Sequence, residues 1–248
     1  MEQITSINNE YIKYLNSLHH KKTRYENKEY LIEGYHLVEE AAKANLLKLV
    51  IALNKEDLAK YPNIKQILVN KQIIDKLSTT MNPQPIIGLV DLKLSKLKDK
   101  GTYILLDNIN DPGNLGTIIR TSLALGVKDI ILANDTVDPF NEKVIRATQG
   151  TIFKCNIYIE DLKQVYDFLK TKNIKIITTD LKAKTNLNDL KLNDDFCLVC
   201  GNEANGISEL SKQMSDISII IPLENNVESL NVAMALGISL YTLKTKNK

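Results

Sequence analysis

The chain lacks several features that would place it in a familiar class. No apolar run approaches the roughly 18 residues of a membrane span, and the opening MEQITSINNEYIK carries no apolar signal-peptide core. Three cysteines in 248 residues exclude a disulfide scaffold and favour a reducing compartment. A soluble, cytoplasmic protein with no membrane association is expected. The three histidines, His19, His20 and His36, all fall early in the chain, so the remainder has no His-based nucleophile or metal site. Cys197 and Cys200 imitate a metal pair, but on a strand that spacing puts them on opposite faces, as core residues. No metal is expected. Neither a Walker loop nor GxGxxG follows any apolar run, which weighs against NTPases and dinucleotide enzymes.

Arginine is scarce as well: of 32 basic residues only Arg24, Arg120 and Arg146 are arginine. Each marks either a site that needs a rigid, planar, multi-donor cation or the remnant of a coding bias toward Lys, Asn and Ile.

What is present reads as globular. Charged residues make up 25% and apolar residues 44% of the chain, close to the soluble average, and the length accommodates two domains. Residues 1–100 carry 16 Lys/Arg against 12 Asp/Glu, while residues 101–248 carry 16 against 18. A mildly basic first part and a mildly acidic second part indicate two units with different tasks, and permit a polyanionic partner.

The first part alternates short elements: a polar helix over 9–20, the basic stretch HHKKTRYENK, the strand YLIEG, a helix from Tyr35 to Ala44, then LKLVIALN, a Lys/Asp/Glu-rich helix, KQILVN, a helix near 71–77 and PIIGLVDL. This predicts a small α/β domain over residues 1–97. After the charged linker LKLSKLKDKG the pattern restarts with TYILLDN, KDIILAN, NIKIITTD, DFCLVCG and ISIII. Near-continuous apolar runs predict a mostly parallel sheet covered on both faces, within a domain over 98–248. Its helices are expected near 114–126, 141–148, 160–172 and 229–245.

Ligands of open parallel sheets bind beyond the carboxyl ends of the strands, and three loops there are unusual. LLDNINDPGNLGTIIRTSLALGV runs from a buried strand into Asp-Pro-Gly-Asn, a turn that caps a helix and offers its amides to an anion. Arg120 lies inside that helix, either at a site or snorkelling to solvent. LVCGNEANGIS places Glu203, the only carboxylate of its loop, between Gly201 and Gly206. IIIPLENNVESLNVAMALGISLYTL places Ser229 to cap a long helix containing Asn231, with small Ala233 and Gly237 suited to close packing. Each loop alone also admits a purely structural reading.

Taken in order, the three loops resemble the motifs of the SpoU (TrmH) family of RNA ribose 2′-O-methyltransferases, in the SPOUT class. NDPGNLGTIIRTSLALG is similar to its first motif, GNEANGIS to its second and IPLENNVESLNVA to its third, and DPFNEKVIRATQGTIF resembles its connecting region. YLIEGYHLVEEA resembles the L30e-like substrate-binding module that precedes many of these enzymes.

The resemblance implies a SPOUT α/β-knot, a mostly parallel sheet with a deep trefoil knot that forms an S-adenosylmethionine pocket, and a homodimer with its active site near the subunit interface. It puts the catalytic arginine at Arg120 with Asn114 its companion, the glutamate at Glu203, and the third-motif serine and asparagine at Ser229 and Asn231. Cofactor contacts fall at Gly201, Ile221 and Leu230, with Thr178 and Thr179 nearby. The family usually has glycine where this chain has Asn225 and Asn226, residues that tolerate positive φ; Ala233 stands where a serine is common. RNA contacts are expected at Lys21, Lys22, Arg24 and Arg146. The substrate implied is 23S ribosomal RNA, the alternatives being tRNA, a non-catalytic RNA-binding scaffold, or a small-molecule α/β enzyme.

Overall fold

The computed structural model describes residues 2–192, 195–202, 204–225 and 227–245. The chain divides into two compact units, Met1–Lys93 with Asp138–Phe153, and Leu94–Val137 with Lys154–Lys248. No helix among the described residues is long and apolar enough to cross a membrane.

In the first unit the chain runs β1 (Glu2–Ile4), α1 (Glu10–Ser17), α2 (Lys21–Asn27), β2 (Glu29–Glu33), α3 (Tyr35–Lys43), β3 (Leu47–Ala52), α4 (Lys55–Ala59), β4 (Lys65–Val69), α5 (Lys71–Leu77) and β5 (Ile86–Asp91). The sheet order is β1-β4-β3-β5-β2. Its first three strands are parallel, and β5 runs antiparallel to both β3 and β2. Asn9 starts α1 by accepting from the amides of Tyr11 and Ile12, and Ile12, Leu15 and Leu18 then bury against Ile73, Ile74 and Leu77 of α5. Burying each such side chain contributes about 1.5–3 kcal/mol relative to leaving it exposed.

The basic stretch is not an open loop. It forms α2, and Arg24, only 4% exposed, donates to the carbonyls of Leu18 and His19 and pairs with Asp138.

The second unit begins with β6 (Tyr103–Asp107), α6 (Pro112–Ala124) and β7 (Asp129–Ala133). The chain then re-enters the first unit over Asp138–Phe153, where it forms α7 (Glu142–Thr148) and a 3-10 turn. It returns as β8 (Asn156–Glu160), α8 (Leu162–Thr171), β9 (Lys175–Thr179), the short β10 (Thr185–Asn186), β11 (Phe196–Gly201), α9 (Glu209–Met214), β12 (Ile217–Ile220) and α10 (Val232–Thr245). The sheet order is β10-β12-β9-β11-β6-β7-β8, and every pairing is parallel.

The five strands expected from apolar runs are all present. β8, β10 and α9 carry weaker patterns and lie outside the elements that the apolar runs predict. Tyr103, Leu105, Cys197 and Val199 face α8 and α9, so strand alternation turns Ile104, Leu106, Leu198 and Cys200 toward the opposite layer. α6 and α10 pack against each other, and the Cβ that Gly237 lacks would sit 3.3 Å from Thr121 Cγ2, which accounts for that small residue within one chain.

Candidate functional site

β6, β9, β11 and β12 end side by side, and the loops beyond their carboxyl ends form the site. β6 ends in the buried Asp107, followed by Asn108 at φ +64°. Asp111 then caps α6 by accepting from the Asn114 amide at 2.7 Å, with Pro112 in the first turn, where its missing N–H costs nothing.

The strand end and the loop after it hold the other two loops. Asp107 Oδ2 accepts from the Ser208 amide at 2.7 Å and the Ser211 hydroxyl at 2.6 Å, and Ser211 accepts from the Tyr166 hydroxyl. The Asn108 carbonyl accepts from Asn202 Nδ2 at 2.9 Å. Asn202 also pairs its backbone with Gly206 in both directions, and its Oδ1 accepts from the amides of Ala204 and Asn205. The second loop is thus wound around one asparagine side chain. Glu203, the expected catalytic carboxylate, lies outside the described residues.

Gly201 and Gly206 are glycines for different reasons. A Cβ on Gly201 would collide with the backbone of Gly206 and Ile207, so the chain itself, not a ligand, occupies that space. Gly206 has open space around it but sits at φ +69°, where a side chain is strained.

In the third loop Asn225 adopts φ +57°, as its residue type allows; Asn226 lies outside the described residues. The cap of α10 is Asn231 and not Ser229. The helix starts at Val232, and Asn231 Oδ1 accepts from the amides of Ala233 at 2.9 Å and Met234 at 3.4 Å. Asn231 Nδ2 donates to Asn114 Oδ1 at 2.8 Å, joining the third loop to the first.

Between the second loop, the third loop and the end of β9 lies a cleft of about 670 Å³, within the range of small-molecule sites. Thr179, Gly201, Ile221, Leu230, Ser229 and Asn231 line it, as does Asn202. Ile207, Leu223 and Val232 add apolar wall, while Asp180, Glu228 and Lys182 bring charge. Thr178 does not belong to the cleft: it is fully buried, and its hydroxyl is shared with those of Ser215 and Ser218, each at 2.9 Å. Burial pushes the Cys200 thiol up to about 12, which makes it an inert core residue. Among the described residues no cluster of His, Cys, Asp and Glu is arranged to hold a metal.

Arg120 is exposed on α6 and does not line the cleft. Among the described residues its guanidinium makes no hydrogen bond or ion pair, so the expected pairing of Arg120 with Asn114 is not formed within one chain. In the first unit, Lys21 and Lys22 are exposed. Lys21 lies 5.7 Å from the Tyr25 ring centre, and Lys22 is 3.8 Å from Glu26. Arg146 donates to Thr79 Oγ1 at 3.3 Å. Arg24 corrects the expectation of a phosphate contact. Its terminal nitrogens are engaged inside the protein, and Asp138 also accepts from Tyr25. The residues that sequence reasoning missed are Asp107, Asn108, Asn202 and Ser211. The signal for the first three is a polar side chain at a strand end, and for Ser211 a serine in the first turn of a short helix, none of which announces its partners.

This geometry matches a known class. Residues 101–241 fit the model of the SpoU rRNA methylase family, and residues 9–88 fit an MRM3-like substrate-binding domain. The chain is 33% identical to the 23S rRNA (guanosine(2553)-2′-O)-methyltransferase RlmP of Bacillus subtilis (strain 168), over 98% of its own length and all of that protein. It is 30% identical to the 23S rRNA (guanosine-2′-O-)-methyltransferase RlmB of Coxiella burnetii, over 88% of this chain and 96% of that one. The crystal structure of an AdoMet-bound rRNA methyltransferase from Sinorhizobium meliloti superposes with a TM-score of 0.88 and 29% identity, covering 97% of this chain and 96% of that chain. The chain belongs to the SpoU rRNA methylase family. It is therefore an RNA methylase built from a parallel-sheet catalytic unit preceded by a substrate-binding one.

Proposed function

We propose that the chain transfers the methyl group of S-adenosylmethionine to a ribose 2′-hydroxyl of 23S ribosomal RNA. The observation that carries this reading is the cleft at the ends of β9, β11 and β12, lined by Asn231, whose side chain is hydrogen-bonded to Asn114. Its composition fits the donor. Ile207, Ile221, Leu223 and Leu230 suit a flat adenine, the turns beside Gly201 and Ile221 offer backbone groups, and Asp180 and Glu228 suit cationic groups of the ligand. Full-length relatives that act on 23S rRNA support the substrate, and such a substrate is met in the cytoplasm.

When bound, S-adenosylmethionine supplies an electrophilic methyl group. The chain must present the ribose oxygen in line and stabilise the negative charge that develops on it. Asn114 and Asn231 form a fixed polar wall for the ribose. Arg120 presents a planar guanidinium with its donors in a fixed fork, so it acts as a cationic clamp on the adjacent phosphate and the developing alkoxide. Glu203 and Ser229 complete the catalytic set.

Arg120 does not line the cleft of its own chain, and a homodimer is the arrangement that supplies it from outside. Met234, Ile238 and Tyr241 form an exposed apolar stripe on α10 that a second copy would cover. The deep knot is part of the same reading, supported by a strand order in which the chain crosses from β11 past β9 to β12.

Residues 98–248 make the catalytic domain. Residues 1–97 make the RNA-binding domain, joined by the 138–153 excursion, with Lys21, Lys22 and Arg146 on phosphates. Calorimetric titration with S-adenosylmethionine, followed by mapping of 2′-O-methyl marks on a 23S rRNA transcript, tests this. One bound donor per chain and a single mark are expected; no binding of the donor refutes it.

A further inference from the structure

The loop between α5 and β5, residues 78–84, is built with unusual care for a surface connection. One carboxylate, Glu33 at the end of β2, accepts from the Ser78 hydroxyl at 2.7 Å, the Thr80 hydroxyl at 2.7 Å and the Gln84 amide at 2.8 Å. Ser78 Oγ also accepts from the Thr80 amide. Both ends and the middle of the loop are therefore pinned to a single side chain, and charge-assisted bonds of this kind are the stronger ones. At the tip of this clamped loop stands Met81, 99% exposed.

A large apolar side chain held in solvent by a rigid loop does nothing for the stability of this unit. It suits a partner. The surroundings identify the kind of partner. Arg146 donates to Thr79 of the same loop and keeps donors to spare. Thr79, Asn82 and Gln84 are exposed and polar. Gly34, at the end of β2, would bring a Cβ to 3.5 Å from Gln84 Cγ, so the loop lies close against that strand end. A protein interface centres on a contiguous apolar patch. A lone apolar wedge set among amides, hydroxyls and a guanidinium instead matches an unpaired nucleotide, with a flat base to cover and a phosphate to hold.

We propose that loop 78–84 is an RNA-contact loop, in which Met81 packs against an unpaired base and Arg146 binds a neighbouring phosphate. The inference rests on the reading of the chain as an rRNA methyltransferase and adds the element that grips the substrate away from the methyl-transfer site.

The test compares full-length wild type, Met81→Ala, Met81→Glu and Arg146→Gln for binding to a 23S rRNA transcript across a salt series, with S-adenosylmethionine affinity measured in parallel. Met81→Ala is expected to weaken RNA binding about tenfold with the salt slope unchanged, because the lost contact is apolar. Met81→Glu weakens it further, and Arg146→Gln lowers both affinity and slope. Affinity for S-adenosylmethionine stays at the wild-type value in all three. Wild-type RNA binding that survives both Met81 substitutions overturns this inference alone. Binding of S-adenosylmethionine without any binding of the transcript overturns the parent reading, and this one with it. A loss seen only on ribosomal particles, with the naked transcript bound normally, assigns the loop to a protein and also overturns the inference.

Discussion

Asn231 Nδ2 donates to Asn114 Oδ1 at 2.8 Å, while Asn231 Oδ1 caps α10 through the amides of Ala233 and Met234. One amide group thereby sets both the start of the last helix and the orientation of a side chain on α6. Its two ends are chemically distinct, so the two tasks separate by mutation. Asn231→Asp retains the acceptor and the cap but has no hydrogen to donate to Asn114. Its melting temperature should stay within a degree or two of wild type while methyl transfer falls at least tenfold. Asn231→Ala loses the cap as well, and should cost about 1 kcal/mol of stability in addition. Thermal melts and single-turnover assays read the two effects separately.

In the proposed mechanism Arg120 carries the electrostatic part. Arg120→Ala should abolish methyl transfer and leave S-adenosylmethionine affinity within a few-fold. Arg120→Lys should also be severely impaired, because a point charge does not reproduce the planar fork. If the guanidinium comes from the partner subunit, co-expressing Arg120→Ala with Asn231→Ala chains should restore activity. Random pairing makes half the dimers mixed, each with one intact site, or about a quarter of wild-type turnover. A mixture as inactive as its components would place Arg120 and Asn231 in the same chain's site.

The two glycines of the second loop predict opposite outcomes for one added methyl. Gly201→Ala forces a Cβ into the backbone of Gly206 and Ile207, which cannot move without unwinding the turn held by Asn202. Binding of S-adenosylmethionine should be lost in calorimetry. Gly206→Ala meets nothing within 4 Å and bears only the strain of φ +69°, about 1–2 kcal/mol. It should bind the donor with a modest loss of affinity.

Arg24 separates a structural from an RNA-binding arginine. Removing it leaves the largely buried Asp138 carboxyl without its cationic partner and held, among the described residues, by the Tyr25 hydroxyl and the Phe140 amide. Arg24→Ala should destabilise the first unit by about 3–5 kcal/mol. Lys21→Gln and Lys22→Gln should leave stability unchanged and each reduce the salt slope of RNA binding by about 0.7–0.9. Thermal unfolding and salt-dependent RNA binding distinguish the two cases. A stable Arg24→Ala protein with a reduced slope would return Arg24 to the RNA surface.

What the sequence determined by itself were the features set by short-range physics. Apolar runs placed the five main strands of the second unit, because a strand buried on both faces must be apolar throughout. Turn and cap chemistry placed the start of α6, because Asp111 and Pro112 act on amides only a few residues away. The second and third motifs lie on loops that border the cleft, which Thr179, Gly201, Ile221 and Leu230 line. Tertiary structure decided the rest. Arg24 and Asp138 are 114 residues apart and Asn114 and Asn231 are 117 apart, separations over which periodicity and capping carry no information. A polar residue type states that partners are needed when it is buried, but not which ones. Arg24 was therefore expected on RNA, Ser229 at a cap that Asn231 makes, and Thr178 in a cleft from which its buried hydroxyl is turned away. Packing alone settled these positions, because only the folded chain determines which donors and acceptors are left without water.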